Sequence, residues 1–175
     1  MKRRLVLAAI ATTLGLLVWV MTRGADRPVD PLFGGPDGLA IVTGAERIEA
    51  FRIAPAPGQP PGGFLSETDY QSTAGPVVLD ARMAQEVTAA LGSSRSYSWD
   101  SMKKCTPRYG VRLAFIQGEQ RMEVYLCFEC DMLETAKDGT PVDGEDFDAI
   151  RPVLVRAAKS AFPSDPVIQG LAERR

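Results

Sequence analysis

Two short runs of alternating residues leave this chain little freedom. Val111, Leu113 and Phe115 are apolar at every second position, and so are Met122, Val124, Leu126 and Phe128. Alternation of that kind marks a strand with one buried face. Gly118-Glu119 lies between the runs, with glycine first as a type II′ turn requires. A two-residue turn there pairs Val111 with Leu126, Leu113 with Val124 and Phe115 with Met122. A four-residue loop would keep the same face. Arg112, Glu123 and Tyr125 then point the other way, and a slip of one residue would expose the whole apolar set. A hairpin is therefore predicted at about 110–128.

The elements around it are read from periodicity and punctuation. Glu46–Ala54 alternates through Ile48, Phe51 and Ile53 and predicts a first strand. Pro55–Gly63 (PAPGQPPGG) is expected as an exposed loop, Phe64–Gly75 as irregular, and Pro76–Leu79 as a short extended entry to a helix. Asp80 is a good N-cap, Met83, Val87, Ala90 and Leu91 recur at helical spacing, and Gly92 supplies a left-handed stop, so a helix is predicted at 81–91. Ser93–Lys104 reads as loop, with Tyr97 and Trp99 packing onto the core. Phe147, Ile150, Leu154, Ala158 and Ala161 form one stripe. With Asp148 as cap, Pro152 falls in the first turn, where its missing amide costs nothing, and a helix at 149–162 follows. Ser164 or Asp165 caps a short last helix that starts at Pro166. The fold class is α+β: a small antiparallel sheet covered on one face by two helices, about 81–91 and 149–162.

The N-terminus sets the expected compartment. Lys2, Arg3 and Arg4 precede seventeen uncharged positions, Leu5–Met21, interrupted by only Thr12 and Thr13. That is longer than an ordinary secretory apolar region and at the short end for a membrane span. Thr22-Arg23-Gly24-Ala25-Asp26 offers no convincing small-x-small cleavage site, and Trp19 falls where an interfacial ring prefers to sit. Residues 1–21 are thus expected as a signal anchor or single transmembrane helix, N-terminus in the cytoplasm by the positive-inside rule. The alternative is secretion after signal cleavage. Thr22–Gly38, with Pro28, Pro31 and Pro36 among four glycines, reads as a flexible linker, and 39–175 as the extracytoplasmic domain. A body of that length buries about two thirds of its unfolded surface, enough for one core without metals.

Charge narrows the function classes. Twenty basic residues stand against 22 acidic ones, so no basic excess points to nucleic acid. The chain has no histidine, which excludes Ser-His-Asp and Cys-His nucleophile pairs and any histidine metal ligand. Asp138, Asp143, Glu145, Asp146 and Asp148 crowd the stretch before the last long helix. Their spacing does not match a calcium-binding EF-hand loop, and capping together with the helix dipole accounts for them.

Three cysteines remain. In the hairpin register Cys127 sits across from Gly110 and Cys130 across from Pro107, with Cys105 two residues further out. The leading reading is a structural Cys105–Cys130 disulfide with Cys127 buried and free, worth roughly 3 kcal/mol through chain entropy. A Cys105–Cys127 pairing stays open. Cys127-Phe128-Glu129-Cys130 is also a CxxC couple for thiol–disulfide exchange, although it ends a strand beside two carboxylates, which works against a thiolate. A third reading joins Cys105, Cys127 and Cys130 as metal ligands. Zinc would take a fourth ligand from Glu129, Asp131 or Glu134; copper(I) accepts three sulfurs.

The segment Cys105-Thr106-Pro107-Arg108-Tyr109-Gly110-Val111-Arg112, followed by Leu126-Cys127-Phe128-Glu129-Cys130, resembles a family of small uncharacterised exported bacterial proteins. Its members carry a Cys-x-Pro-Arg-x-Gly-x-Arg segment and a Cys-Phe-Glu-Cys strand end. Many are lipoproteins, from which this chain departs by having no lipidation cysteine after its apolar run. The resemblance implies a shared fold and a shared cysteine arrangement. The functional expectation is a membrane-anchored extracytoplasmic binding or structural domain, with a cysteine-based metal (Zn or Cu) or thiol-exchange protein as the alternative. The expected partner is the membrane, through the N-terminal segment.

Overall fold

The computed structural model describes residues 27–58, 70–99 and 103–174. The expected anchor, Leu5–Met21, lies outside them. Among the described residues no helix is long and apolar enough to cross a membrane.

Six antiparallel strands form one sheet: β1 (Arg47–Pro55), β2 (Tyr70–Val78), β3 (Val111–Gln117), β4 (Gln120–Cys127), β5 (Met132–Lys137) and β6 (Thr140–Asp146), in the order β2-β1-β3-β4-β5-β6. The hairpin β3–β4 pairs Val111 with Leu126, Leu113 with Val124 and Phe115 with Met122, the register read from the alternation. Gly118 takes φ 58°, the positive value its turn position demands.

Helices cover one face. They are α1 (Pro36–Thr43), α2 (Ala81–Leu91), α3 (Arg151–Ala161) and the short α4 (Pro166–Gln169). Ile41 and Val42 of α1, Val87 and Leu91 of α2, and Leu154 and Val155 of α3 join Ile48, Leu113, Phe115, Met122, Val124, Leu126 and Leu133 in a single core. Asp80 caps α2 by accepting from the Met83 amide at 2.9 Å. Asp165 caps α4 by accepting from Val167 and Ile168, with Pro166 at the first position. Tyr97 and Trp99 pack against this core, and the Tyr97 hydroxyl donates to the Leu91 carbonyl at 2.7 Å.

Several expectations need correction. The linker expected over Thr22–Gly38 is not a spacer through residue 38. Val29, Leu32 and Phe33 are buried around a 3-10 turn at Asp30–Phe33, and α1 starts at Pro36. Gly34 (φ 76°) and Gly35 (φ 102°) bend the chain between them. The stretch read as irregular up to Gly75 contains most of β2, an edge strand whose side chains are nearly all exposed. β6 runs through the acidic stretch before the last long helix, and β5, just ahead of it, matches no expected strand. Asp148 opens a 3-10 turn (Asp148–Ile150) instead of capping α3, whose N-cap, Ile150, has no side-chain bond; Pro152 does lie in the first turn. Gly92 ends α2 in the right-handed region at φ −76°, so its role there is not left-handed geometry.

Gly38 in α1 is required by close approach. A β-carbon placed there would lie 1.7 Å from the Phe33 carbonyl oxygen and 2.9 Å from Met122 Cε. Helix propensity favours alanine over glycine by about 1 kcal/mol. Crowding reverses that sign: Gly38→Ala is expected to lower stability by about 1–3 kcal/mol in urea unfolding, as overpacking does.

Candidate functional site

β4 ends at Cys127, and a four-residue turn returns the chain to β5, so that Cys127 faces Met132 across the ladder. Asp131, the last turn residue, adopts φ 55°, an uncommon conformation for a residue with a side chain. The rest of the turn is tied down around it. The Phe147 amide donates to the Asp131 carbonyl at 2.8 Å. The buried Arg151 guanidinium donates to the Asp131 carboxylate, to the Phe128 carbonyl at 2.9 Å and to the Ala172 carbonyl at 2.9 Å. Arg151 and Asp131 side chains are 5% and 3% exposed, so each neutralises a charge that would otherwise be stranded in the interior.

The bridge expected between Cys105 and Cys130 is present. Its α-carbons stand 6.3 Å apart across a separation of 25 residues, within the range a disulfide spans. Cys127 is free and fully buried. Its sulfur accepts a hydrogen bond from the Arg108 amide at 3.2 Å, which places that part of the incoming segment 103–110 against it. Lys103 fastens the start of that segment. Its ammonium donates to the Cys130 carbonyl at 2.7 Å and to Asp148 at 2.5 Å, and lies 3.5 Å from Asp146. Two members of the acidic crowd thus serve as counter-ions to Lys103. Asp138 instead holds the β5–β6 turn against β4, accepting from the Arg121 amide at 3.1 Å.

A cavity of about 430 Å³ opens beside this cluster, walled by Asp131, Asp148, Arg151, Pro152 and Glu173. Its two most buried charges, Arg151 and Asp131, are committed to each other. As for metals, two of the three sulfurs are joined to each other. Among the described residues no group of three His, Cys, Asp or Glu side chains is arranged to hold an ion. Of the carboxylates considered as a fourth ligand, Asp131 faces Arg151, Glu134 lies beside the Tyr109 hydroxyl, and Glu129 is exposed.

The face away from the helices holds a second cluster. Cys127 and Cys130 pack there with Phe51, Ile53, Tyr109, Ala114, Tyr125 and Ala136. Phe128 turns to the helix side, as its place in the alternation requires. Arg112, Glu123 and Tyr125 meet on the far face. Glu123, nearly fully buried, lies 3.2 Å from Arg112 and 2.9 Å from Arg121, and accepts from the Tyr125 hydroxyl at 3.1 Å. The Arg112 guanidinium stacks 4.4 Å from the Phe51 ring centre. Tyr109 bridges Tyr70 and Tyr125 by edge-on ring contacts. Burial, and then the Glu123 charge, push the Tyr125 phenol up to about 12 against the opposing pull of Arg112. Burial likewise raises Tyr97 and Tyr109. Nothing in the spacing of Asp131 and Arg151 announced their pairing; the only local cue was an arginine in the first turn of a helix.

Two outcomes follow from these charges. Arg151→Met should cost about 3–5 kcal/mol in denaturant unfolding, because it strands a buried carboxylate, whereas the double variant with Asp131→Asn should recover part of the loss. The raised Tyr125 phenol makes the folded state hold its proton longer than the unfolded one. That contribution is complete below the ordinary tyrosine value of about 10 and is lost as pH rises toward about 12. Tyr125→Phe should therefore flatten the alkaline fall in stability, followed by phenolate absorbance and circular dichroism together.

No family model, curated protein or solved structure matches this chain, which leaves its own geometry and chemistry as the ground for a functional reading.

Proposed function

We propose that the chain is a non-catalytic binding or structural domain held at the outer face of a cytoplasmic membrane by its Leu5–Met21 segment. The observation that carries this reading is the Cys105–Cys130 bridge, which belongs to compartments where thiols oxidise. Lys2, Arg3 and Arg4 ahead of the apolar run support the matching orientation. The use of the charges around the cysteines supports the absence of catalysis. Arg151, Asp131 and Lys103 bind each other's segments and backbone carbonyls, as a scaffold does. The thiol of Cys127 beside the bridge is what favours cysteine chemistry as the second reading.

Expression of the whole chain in a bacterium, followed by fractionation and alkylation, tests the proposal. The protein should stay with membranes through alkaline carbonate and leave with detergent. Protease added to spheroplasts should digest the body. Denatured without reductant, it should take one alkyl group, and with reductant three. Recovery of the intact chain from cytosol with three alkylated cysteines would overturn it.

A further inference from the structure

We propose that Cys127 is the internal nucleophile of a thiol–disulfide exchange that moves the chain's one thiol from the interior to the surface. The inference rests on the Cys105–Cys130 bridge and not on where the protein resides.

The three sulfurs are unequal in their surroundings. Residue Cys105 is exposed, Cys130 is 5% exposed and Cys127 is fully enclosed. Cys127 and Cys130 share one apolar cluster and are linked by the turn Phe128-Glu129-Cys130. Residues three apart across such a turn have α-carbons within about 7 Å, close to what a disulfide spans. The Arg108 amide already points at the Cys127 sulfur, where it stabilises a sulfur anion as it forms.

In the exchange the Cys127 sulfur, its proton passed to water, attacks Cys130. A Cys127–Cys130 bond forms and the Cys105–Cys130 bond breaks. The electron pair leaves on the Cys105 sulfur, which takes up a proton from solvent. Nothing is oxidised or reduced overall, so no outside reagent is consumed. Cys130 is the sulfur attacked because the leaving sulfur is then the solvated one, whose departure as an anion costs least. Attack on Cys105 would instead leave the departing sulfur buried.

The surroundings keep the event local. Lys103 holds the segment before Cys105 through Cys130 and Asp148. Beyond it, the Tyr109 amide donates to the Tyr70 hydroxyl and the Gly110 amide to the Leu126 carbonyl. Releasing Cys105 therefore frees a few residues between two fixed points and leaves the sheet intact. The chain would exist as two bridge isomers, one with its thiol shielded and one with it presented to solvent at Cys105.

The test uses the whole oxidised chain in mildly alkaline, denaturant-free buffer with N-ethylmaleimide present, followed by non-reducing digestion and peptide mapping. The expected result is label on Cys105 together with a Cys127–Cys130 peptide pair, and loss of Cys105 labelling in Cys127→Ser. Label on Cys127 with Cys105–Cys130 intact would overturn the proposal, since it reports opening of the core without exchange. So would absence of any label over a time in which the denatured chain reacts completely, or Cys105 labelling in Cys127→Ser as fast as in the parent chain. The variant's fold is verified by circular dichroism. If Cys127→Ser does not fold, the peptide pair in the parent chain decides alone.

Discussion

The pairing of β3 with β4 sets the frame on which the rest is assembled. Its helix-side face, with Leu113, Phe115, Met122, Val124 and Leu126 fully enclosed, is the floor on which α1, α2 and α3 lie. Its other face carries Ala114, Tyr125 and Cys127, and the cysteine turn continues straight from the end of β4. Because side chains alternate strictly along a strand, one register decides both faces at once. The same register that buries Leu126 toward the helices turns Cys127 toward Tyr109 and brings Glu123 to Arg112. The location of the thiol is therefore a consequence of core formation and needs no separate device.

How much of this was legible depended on whether a segment packs against neighbours on a periodic face. The hairpin, α2 with its Asp80 cap, and α4 with Asp165 and Pro166 all carry local signals that tertiary structure reinforces. β2 had no such signal. As an edge strand with its side chains in solvent, YQSTAGPVV has no reason to alternate, and glycine with proline disguises it further. β6 is the other edge, and its acidic residues look like loop composition for the same reason. α1 hid in a Pro- and Gly-rich stretch. Yet Pro36 at a helix start, followed by Leu39, Ile41 and Val42, was a usable cue. In the site the three cysteines were legible as a group, and the bridge with them. The Asp131–Arg151 pair was not, since it depends on how α3 settles against the turn 20 residues earlier.

The charged residues show a consistent economy of use. Arg151 gathers two acceptors from the turn after β4 and the Ala172 carbonyl from the C-terminal stretch. Lys103 gathers acceptors from the turn and from the start of the last helical region, and Arg52 reaches from β1 to the Gly110 carbonyl and to Asp165 at 2.8 Å. Each cation replaces water around carbonyls that the irregular segments cannot pair within a ladder. Breaking such a buried arrangement costs more than forming it gains, because removing one partner leaves a charge or carbonyl unsatisfied. The cluster around the cysteines is accordingly a joint between layers, with the disulfide as one of its several fasteners.

The early packing of Val29, Leu32 and Phe33 also shortens the leash. Arg27 already donates to the Trp99 carbonyl, so under the proposed tether at Leu5–Met21 only Thr22–Asp26 would separate lipid from the folded body. Five residues reach about 18 Å at full stretch. If the proposed tether holds, a domain on so short a lead would ride against the headgroups and sweep little volume above them. Whatever it meets would have to come to the bilayer surface or already reside there.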